Sequence, residues 1–304
     1  MFLKYLKHLL KHFILNINVK TSLMATGLRT GGAVRALQAT VEFRVLYYRS
    51  ATQERMATKD GYWNLFREIR SRGNYSEVLM ATLSQLSGEL NLDSVKSCLM
   101  IGPGDGQHEL QFIKQCLPNV SKLIAIEPDH ESAERLKARL RQSLSSVDSQ
   151  VIETNIQSWK GLDDPVDLVL MMLVIHYFRS ERKQLFTKLS AQWLTRHGHA
   201  VVVSPCRTKC PGNEFEIYSR LGTPMLAWED VEADLLQVGF IKQHAREMQT
   251  THDLSNLDES FRGFVQYNVD RPITLDDVRS VTEELFPDGK SDQAFLTLAI
   301  FQKA

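Results

Sequence analysis

The chain has 304 residues, of which 43% are hydrophobic and 24% are charged, as in an ordinary globular protein with one large α/β domain or two small ones. Its 36 basic and 36 acidic residues cancel, which argues against nucleic acid as a bulk electrostatic partner. The four cysteines lack the spacing of a disulfide scaffold or a zinc site, so we predict reduced thiols and no bound metal.

Residues 1–53 form a basic extension in which Glu42 is the only acid. Lysines interrupt its apolar start, so we expect neither a secretory signal nor stable membrane insertion. Two interpretations stay open: a mitochondrial transit peptide, or a disordered extension ahead of a later start such as Met24 or Met56. Reduced thiols favour the cytoplasm, with the mitochondrion as the alternative. The extension takes no part in the catalytic prediction, which concerns residues 54–304.

The remaining sequence alternates between helix and strand patterns. The predicted helices cover residues 62–69, 76–90, 107–116, 128–141, 182–194, 228–238, 261–268 and 274–286. The predicted strands cover residues 97–101, 122–126, 150–153, 166–173, 200–203, 240–247 and 295–301. This order predicts a doubly wound, mostly parallel, seven-stranded α/β sheet with small helical additions at about 54–92 and 246–290. The turn signal at Pro287, Asp288 and Gly289 is consistent with a reversal before the last strand.

A glycine-rich turn follows the first predicted strand, with Gly102, Gly104 and Gly106 in alternate positions. Glu127 ends the next strand, where a carboxylate can accept hydrogen bonds from ribose hydroxyls. Together they predict a nucleoside pocket at the carboxyl edge of the sheet. The third glycine comes one residue too early for the dinucleotide fingerprint. The turn also contains Asp105 and no lysine or arginine, which favours a cationic ligand over a pyrophosphate.

These features resemble the first motif and the ribose-binding acid of class I S-adenosylmethionine-dependent methyltransferases, which have a Rossmann-like fold. From about residue 62 onward, the chain also resembles histamine N-methyltransferase and its relatives. The resemblance rests on the order and spacing of the segments 66–67, 101–106, 126–128, 153–155, 171–177, 218–220 and 296–300. It implies S-adenosylmethionine as cofactor and methyl transfer to an imidazole nitrogen.

The resemblance also implies roles for single residues on the cofactor side. Gly102, Gly104 and Gly106 would lie beside the methionine part of the cofactor, and Glu127 would hold the ribose. Asn155 stands where the family has a small polar residue near the adenine. Met172 would pack against the adenine or the methionyl chain.

The acceptor side departs from the family pattern. Leu173 stands where the family has a glutamine, and Ala294, next to Gln293, stands where it has an asparagine. The family's amine-binding carboxylate aligns near Tyr75 or Glu77. Without the two amides, a small polar amine loses hydrogen bonds that would orient it. We therefore predict an acceptor other than histamine.

Aromatic residues still offer a surface for a flat or cationic acceptor. The predicted substrate-binding residues are Phe66, Glu77, Leu173, Phe215 and Phe264, with Trp63 and Tyr218 as further aromatic candidates. His176 and Tyr177 follow the fourth strand, and His176 has a reference pKa near neutrality, so we predict that this pair receives the acceptor's proton.

The sequence thus predicts an N-methyltransferase of a small imidazole or amine compound that acts as a monomer. A neutral nitrogen lone pair needs no strong base, which agrees with the lack of a catalytic triad or carboxylate pair in the motifs. Two alternatives stay open. One is a methyltransferase of another acceptor class, either a small-molecule O-methyltransferase or a protein methyltransferase. The other is a noncatalytic cofactor-binding partner protein.

Overall fold

The computed structural model describes residues 62–87, 89, 92–178, 181–206, 215–223, 226–269 and 271–304. The basic extension and its boundary with the catalytic part lie outside these ranges. None of the helices within them is long and apolar enough to cross a membrane.

Seven strands form one sheet. They are β1 (Ser97–Ile101), β2 (Lys122–Ile126), β3 (Asp148–Ile152), β4 (Val166–Met172), β5 (Leu194–Pro205), β6 (Phe240–Asp253) and β7 (Lys290–Lys303). Their order is β3-β2-β1-β4-β5-β7-β6, with the first five parallel and β7 antiparallel to both of its neighbours. The predicted seven-stranded, mostly parallel sheet and the reversal of the last strand are confirmed.

The described helices pack on both faces of this sheet. They are α1 (Tyr62–Ser71), α2 (Tyr75–Ser87), α3 (Gln107–Cys116), α4 (His130–Ser143), α5 (Arg182–Lys188), α6 (Phe215–Arg220), α7 (Trp228–Gln237), α8 (Glu259–Asn268) and α9 (Leu275–Leu285). A 3-10 turn at Ile175–Tyr177 follows β4. Neither this turn nor α6 is predicted by the sequence pattern, because both are too short for a periodic apolar stripe.

Two hydrophobic clusters form the core, one on each face of the sheet. Cys98 and Met100 of β1 enter the first cluster, and Leu99 and Ile101 enter the second, as the alternation of side chains along a strand requires. Helices α1 to α4, α8 and α9 pack in the first cluster, and α5 and α7 pack in the second. The candidate site residues belong mostly to the first cluster and to the carboxyl edge of the sheet.

Several predicted boundaries are wrong. The helix predicted to reach residue 194 ends at Lys188 and continues as one π turn, Leu189–Trp193. Strand β5 then begins at Leu194, six residues earlier than predicted, through a polar stretch whose pairing with β4 is irregular near Val166. Strands β6 and β7 are also longer than predicted, since each pairs with the other over most of its length. Backbone pairing extends these strands through residues that carry no alternating apolar pattern.

Candidate cofactor and acceptor site

The three glycines of the β1–α3 turn all have left-handed backbone conformations, with φ of 59° at Gly102, 60° at Gly104 and 71° at Gly106. A side chain is disfavoured at such φ values. A Cβ at Gly102 would stand 2.5 Å from Cγ2 of Val174, and a Cβ at Gly106 would stand 2.3 Å from Cδ1 of Leu136. The turn thus brings bare backbone to the carboxyl edge of the sheet in a shape that other residues would not keep.

Glu127 lies directly after β2 and only 1% of its surface is exposed. Its Oε2 accepts a hydrogen bond from the Gly104 N–H at 2.9 Å, and its Oε1 accepts one from the Asp129 N–H at 2.9 Å. A carboxylate has about four acceptor sites, so these two contacts fix its orientation and are compatible with hydroxyl groups as further donors. The glycine turn and Glu127 therefore form one connected unit.

Asp105 does not give this turn the excess negative charge expected from the sequence. Its carboxylate forms an ion pair with Arg139 of α4 at 3.0 Å and lies 3.9 Å from Arg67 of α1. Both arginines come from helices outside the local motif, so the motif alone does not reveal that the charge of Asp105 is compensated. The preference for a cationic ligand cannot therefore rest on Asp105.

An aromatic cluster packs in the hydrophobic core that also contains the end of β4. We use this name for Phe66 of α1, Tyr218 of α6 and Phe264 of α8. The ring centroids of Phe66 and Phe264 are 6.1 Å apart, and those of Tyr218 and Phe264 are 6.5 Å apart. All three pack in the same core cluster as Met172 and Leu173 at the end of β4. Three helices that are far apart in the sequence thus contribute rings to one cluster.

The overall structure is similar to solved structures of known proteins. The crystal structure of a putative methyltransferase from Bacillus halodurans C-125 superposes with a TM-score of 0.55 at 13% identity, covering 74% of this chain and 98% of that one. The YcgJ protein of Bacillus subtilis superposes with a TM-score of 0.50 at 15% identity, covering 73% and 98%. The mycolic acid cyclopropane synthase CmaA1, solved with SAH and CTAB, also gives 0.50 at 14% identity, covering 73% and 83%. At these identities the likeness shows the fold.

A comparison of the sequence with known protein families gives evidence that the fold likeness alone does not. Residues 98–198 match the family described as a methyltransferase domain. Residues 98–198 are thus similar to a methyltransferase domain, within a sheet of the class I methyltransferase type. Members of this family use S-adenosylmethionine, which is the cofactor of the domain. No curated protein matches the sequence.

The glycine turn and Glu127 of this methyltransferase domain fit the cofactor, since they present close backbone and a carboxylate at one sheet edge. Met172 is the last residue of β4, pairs with Val203 of β5 and is 7% exposed. Asn155 follows β3 on the surface, where its carbonyl oxygen accepts a hydrogen bond from the Ser158 N–H. Met172 thus ends β4 and Asn155 lies shortly after β3, and their contacts with the cofactor stay predictions.

The residues predicted after β4 adopt an unusual backbone. Leu173 is 7% exposed and has a φ of 52°, one of two positive values at non-glycine residues in the described chain. Its N–H donates to the carbonyl oxygen of Val203, which keeps the strand end against β5. His176 and Tyr177 then form the 3-10 turn, with ring centroids 4.0 Å apart, and Tyr177 lies 6.0 Å from the ring of Tyr267 in α8.

The remaining residues predicted for the acceptor lie in different environments. Glu77 is exposed on the first turn of α2, whereas its neighbour Tyr75 is 3% exposed and packs in the core cluster. The structure therefore brings Tyr75, not Glu77, into the first cluster. Phe215 begins α6, but its side chain is outside the described part of the structure, as are those of Gln293 and Ala294.

Two titratable side chains near the glycine turn are not singled out by the sequence reasoning. Glu109 on the first turn of α3 is 5% exposed, and burial raises the pKa of its carboxyl to about 8. Burial also lowers the pKa of His108 to about 4, and its imidazole Nε2 lies 2.9 Å from the Ser76 hydroxyl. Glu109 could have been found from its spacing, because it shares one helical stripe with Phe112, Ile113 and Cys116.

No group of three or more histidine, cysteine, aspartate or glutamate side chains within the described residues is arranged to hold a metal ion. Cys98, Cys116 and Cys206 are buried thiols that take part in no disulfide within the described residues, and Cys210 lies outside the described ranges.

Proposed function

We propose that this domain methylates a nitrogen atom of a small imidazole or amine compound. The observation that carries the proposal is the aromatic cluster, which shares one hydrophobic core with Leu173 at the end of β4. Helix α8, which carries Phe264, also carries Tyr267, whose ring lies 6.0 Å from that of Tyr177. Aromatic faces bind flat and cationic groups, and a predicted cofactor residue, Met172, packs in the same hydrophobic core as this cluster. A small, flat acceptor matches that surface better than an extended one.

The cofactor, when bound, supplies an electrophilic methyl group. The chain's task is to hold the cofactor and the acceptor in line, which can contribute a large part of the rate enhancement. Glu127, held in place by two backbone N–H groups, would bind the ribose hydroxyls, and the glycine turn would approach the methionine part. Asn155 and Met172 would border the adenine.

The acceptor nitrogen must reach the methyl group as a neutral lone pair. An imidazole is neutral for part of its population near pH 7, so no strong base is required. We assign the removal of its proton after transfer to His176, which is half-buried in the 3-10 turn with its ring tilted by 46° against that of Tyr177. The Tyr177 hydroxyl is the second candidate group for the same proton.

Histamine is not the acceptor we propose. Leu173 is a buried aliphatic residue that packs in the core cluster, so its side chain offers no amide to orient a free amine. Of the two α2 positions that align near the family's amine-binding carboxylate, Tyr75 is the buried one, and its phenol replaces the carboxylate expected of a histamine site. The acceptor is therefore a related nitrogen compound with other polar groups.

The test is methyl transfer from radiolabelled S-adenosylmethionine to histamine, histidine, carnosine and several aromatic amines and phenols, each assayed separately. We expect label in one or more nitrogen compounds other than histamine, and none with the matched variant Glu127→Ala. Label in phenols alone would replace the proposal by O-methylation. Efficient turnover of histamine at low micromolar concentration would contradict the altered acceptor. No transfer by protein shown to bind the cofactor would favour a noncatalytic partner protein.

We further propose that the domain acts as a monomer and works in the cytoplasm, on the basis of its balanced charge and of the thiols that form no disulfide within the described residues. Size-exclusion chromatography with light scattering tests the first point. Localisation of the full chain, with and without residues 1–53, tests the second against mitochondrial targeting.

A further inference from the structure

A cavity of about 250 Å³ lies at the amino edge of the sheet, where the parallel strands begin. Its lining comes from the segment before β1 and from the first residues of β4 and β5. The glycine turn follows the opposite end of β1, and the four residue steps of that strand, at about 3.3 Å each, put it ~13 Å away. The cavity is therefore separate from the cofactor side of the candidate site.

An irregular stretch at the start of β5 forms one wall of this cavity. Leu194 pairs with Val166 of β4, and the next pair joins His199 to Leu168, so five steps along β5 face two steps along β4. Within this bulge His197 has a φ of 131°, a conformation that residues with a side chain rarely adopt. Bulges and strained backbone are both found more often at functional sites than elsewhere. The chain thus accepts strain at the point where these side chains reach the cavity.

The opposite wall is held by Asp167 of β4. Its Oδ2 accepts hydrogen bonds from the N–H of Lys96 at 2.9 Å, from the N–H of Ser97 at 3.0 Å and from the Ser97 hydroxyl at 2.9 Å. Its Oδ1 accepts one from the Thr195 hydroxyl at 3.3 Å. A carboxylate has about four acceptor sites, so the chain's own donors satisfy this one.

The cavity also contains three nitrogen-bearing side chains, those of Arg196, His197 and His199. No hydrogen bond or ion pair within the described residues uses any of the three. Burial lowers the pKa of His199, but an imidazole keeps at least one N–H donor whether it is charged or neutral. A second cation, Lys303 of β7, donates to the carbonyl oxygen of Leu194 at 3.0 Å, where the bulge begins. This edge therefore presents positive charge and N–H donors that the described part of the chain does not use.

We propose that this cavity binds the phosphate group of a small molecule. The guanidinium of Arg196 can bind two phosphate oxygens through parallel N–H donors, and His197 and His199 can donate to the remaining oxygens. The volume is below the roughly 300–1,000 Å³ of sites for drug-sized ligands, which favours a small anion. The phosphate can be a free ion or part of a small phosphate monoester, and the experiment separates these two sources.

The experiment measures binding of inorganic phosphate and of glycerol 3-phosphate to the full chain by calorimetry, at a constant ionic strength set with chloride. NMR spectra of the imidazole protons show where the ligand binds, with the resonances assigned by His197→Gly and His199→Gln. We expect saturable binding that shifts the resonances of both imidazoles. Tighter binding of glycerol 3-phosphate assigns the site to a monoester, and tighter binding of inorganic phosphate assigns it to the free ion.

Arg196→Gln should weaken phosphate binding by about 10- to 100-fold, as expected for the loss of hydrogen bonds to a charged group. Arg196→Lys should lose less. The matched control is Arg141→Gln, which changes an exposed arginine in the last turn of α4 and should have no effect. His197→Gly should weaken binding and raise the melting temperature, since glycine tolerates a φ of 131°. Glu127→Ala should leave phosphate binding unchanged, because Glu127 lies at the other edge of the sheet.

The proposal is overturned if no saturable phosphate binding is found, or if Arg196→Gln and Arg141→Gln weaken it equally, as a general attraction of charge would. Binding that shifts neither imidazole resonance would also contradict it, because the ion would then lie elsewhere. Zinc ions that shift both resonances where phosphate does not would replace the proposal by a metal site. If Arg196→Gln does not fold, the imidazole resonances of the wild-type protein still decide. None of these measurements depends on methyl transfer, so failure of the proposed function would leave their result unchanged.

Discussion

The two halves of the candidate site are built in different ways. The cofactor half is built within one short stretch, residues 102–129. It consists of three glycines at positive φ and one carboxylate that two backbone N–H groups hold in place. The acceptor half consists of side chains from α1, α6 and α8, which meet only after the chain has folded. A local motif can therefore reveal the first half, whereas the second depends on how distant helices pack.

The largest expected difference between the two halves is a loss of cofactor affinity when Glu127 is replaced. Replacing it with alanine leaves the Gly104 and Asp129 N–H groups without their acceptor and removes the predicted ribose contact. We expect S-adenosylhomocysteine to bind about 100-fold more weakly, since hydrogen bonds to a charged group each contribute about 1.5–3 kcal/mol. Calorimetry measures this effect.

Glu127→Gln is the matched control for that experiment, because it keeps one acceptor oxygen in the same place. We expect it to lose less affinity than the alanine variant. Wild-type affinity in Glu127→Ala, with the fold confirmed by circular dichroism, would show that Glu127 serves the turn alone.

The second prediction concerns stability against pH, through Glu109 on the cofactor side. Burial raises the pKa of its carboxyl from the ordinary 4.5 to about 8, so the native state binds more protons than the unfolded state between these pH values. The free energy of unfolding should therefore fall as pH rises through this window, by up to about 1.4 kcal/mol per pH unit. Urea denaturation from pH 5 to pH 8 measures it.

Glu109→Gln removes this titration and serves as the reference. The difference in stability between the variant and the wild type should shift in the variant's favour as pH rises. His108 and His252 oppose the trend at lower pH, because their native pKa values are lowered, but they are present in both proteins and cancel. A difference that does not change with pH would mean that Glu109 is ionised in the native state.

The third prediction tests whether the glycine turn acts by its shape. Gly102→Ala places a methyl group 2.5 Å from Val174 at a φ of 59°, whereas Gly239→Ala has a φ of 91° and no neighbour within 4 Å. Both variants should lose about 1–2 kcal/mol of stability from backbone strain. Only Gly102→Ala should weaken cofactor binding, by about tenfold for 1.4 kcal/mol.

Unfolding curves and calorimetric titrations on the same two proteins provide the comparison. Equal affinities for S-adenosylhomocysteine in both variants would contradict a role of the turn's close packing in cofactor binding.

Replacing Leu173 with glutamine should change the use of the acceptor and leave cofactor binding unchanged. Glutamine is the residue type that the histamine N-methyltransferase family has at this position. The added amide should raise kcat/KM for histamine by about tenfold, the size of a modest gain in hydrogen bonding. The dissociation constant of S-adenosylhomocysteine should not change. Leu173→Met is the volume-matched control and should leave histamine turnover as it is. A loss of cofactor affinity with no gain for histamine would mean that Leu173 serves the core only.

The fold was predictable because the buried parallel strands carry continuous apolar runs, as at Leu99, Met100 and Ile101, with glycine turns and helices between them. Strand ends at β5, β6 and β7 were not, since backbone pairing continues there through polar residues. Asp105 illustrates the same limit in the site, because its charge partners come from α1 and α4.

A local sequence motif does not predict which of its side chains tertiary packing will bury. Tyr75 and Glu77 are equivalent candidates in the sequence, yet tertiary packing buries the first and exposes the second. The position of Arg70 against the rings of Phe66 and Tyr75 likewise depends on how α1 and α2 pack together.

The most direct test of methyl transfer to a nitrogen is to follow the methyl group itself. Incubation with S-adenosylmethionine carrying a 13C-labelled methyl group, followed by NMR of the small-molecule products, reports the atom to which the methyl is bound. The proposed function predicts a new methyl resonance on an imidazole or amine nitrogen, absent with Glu127→Ala. A methyl resonance on oxygen, or none from protein that binds the cofactor, would contradict it.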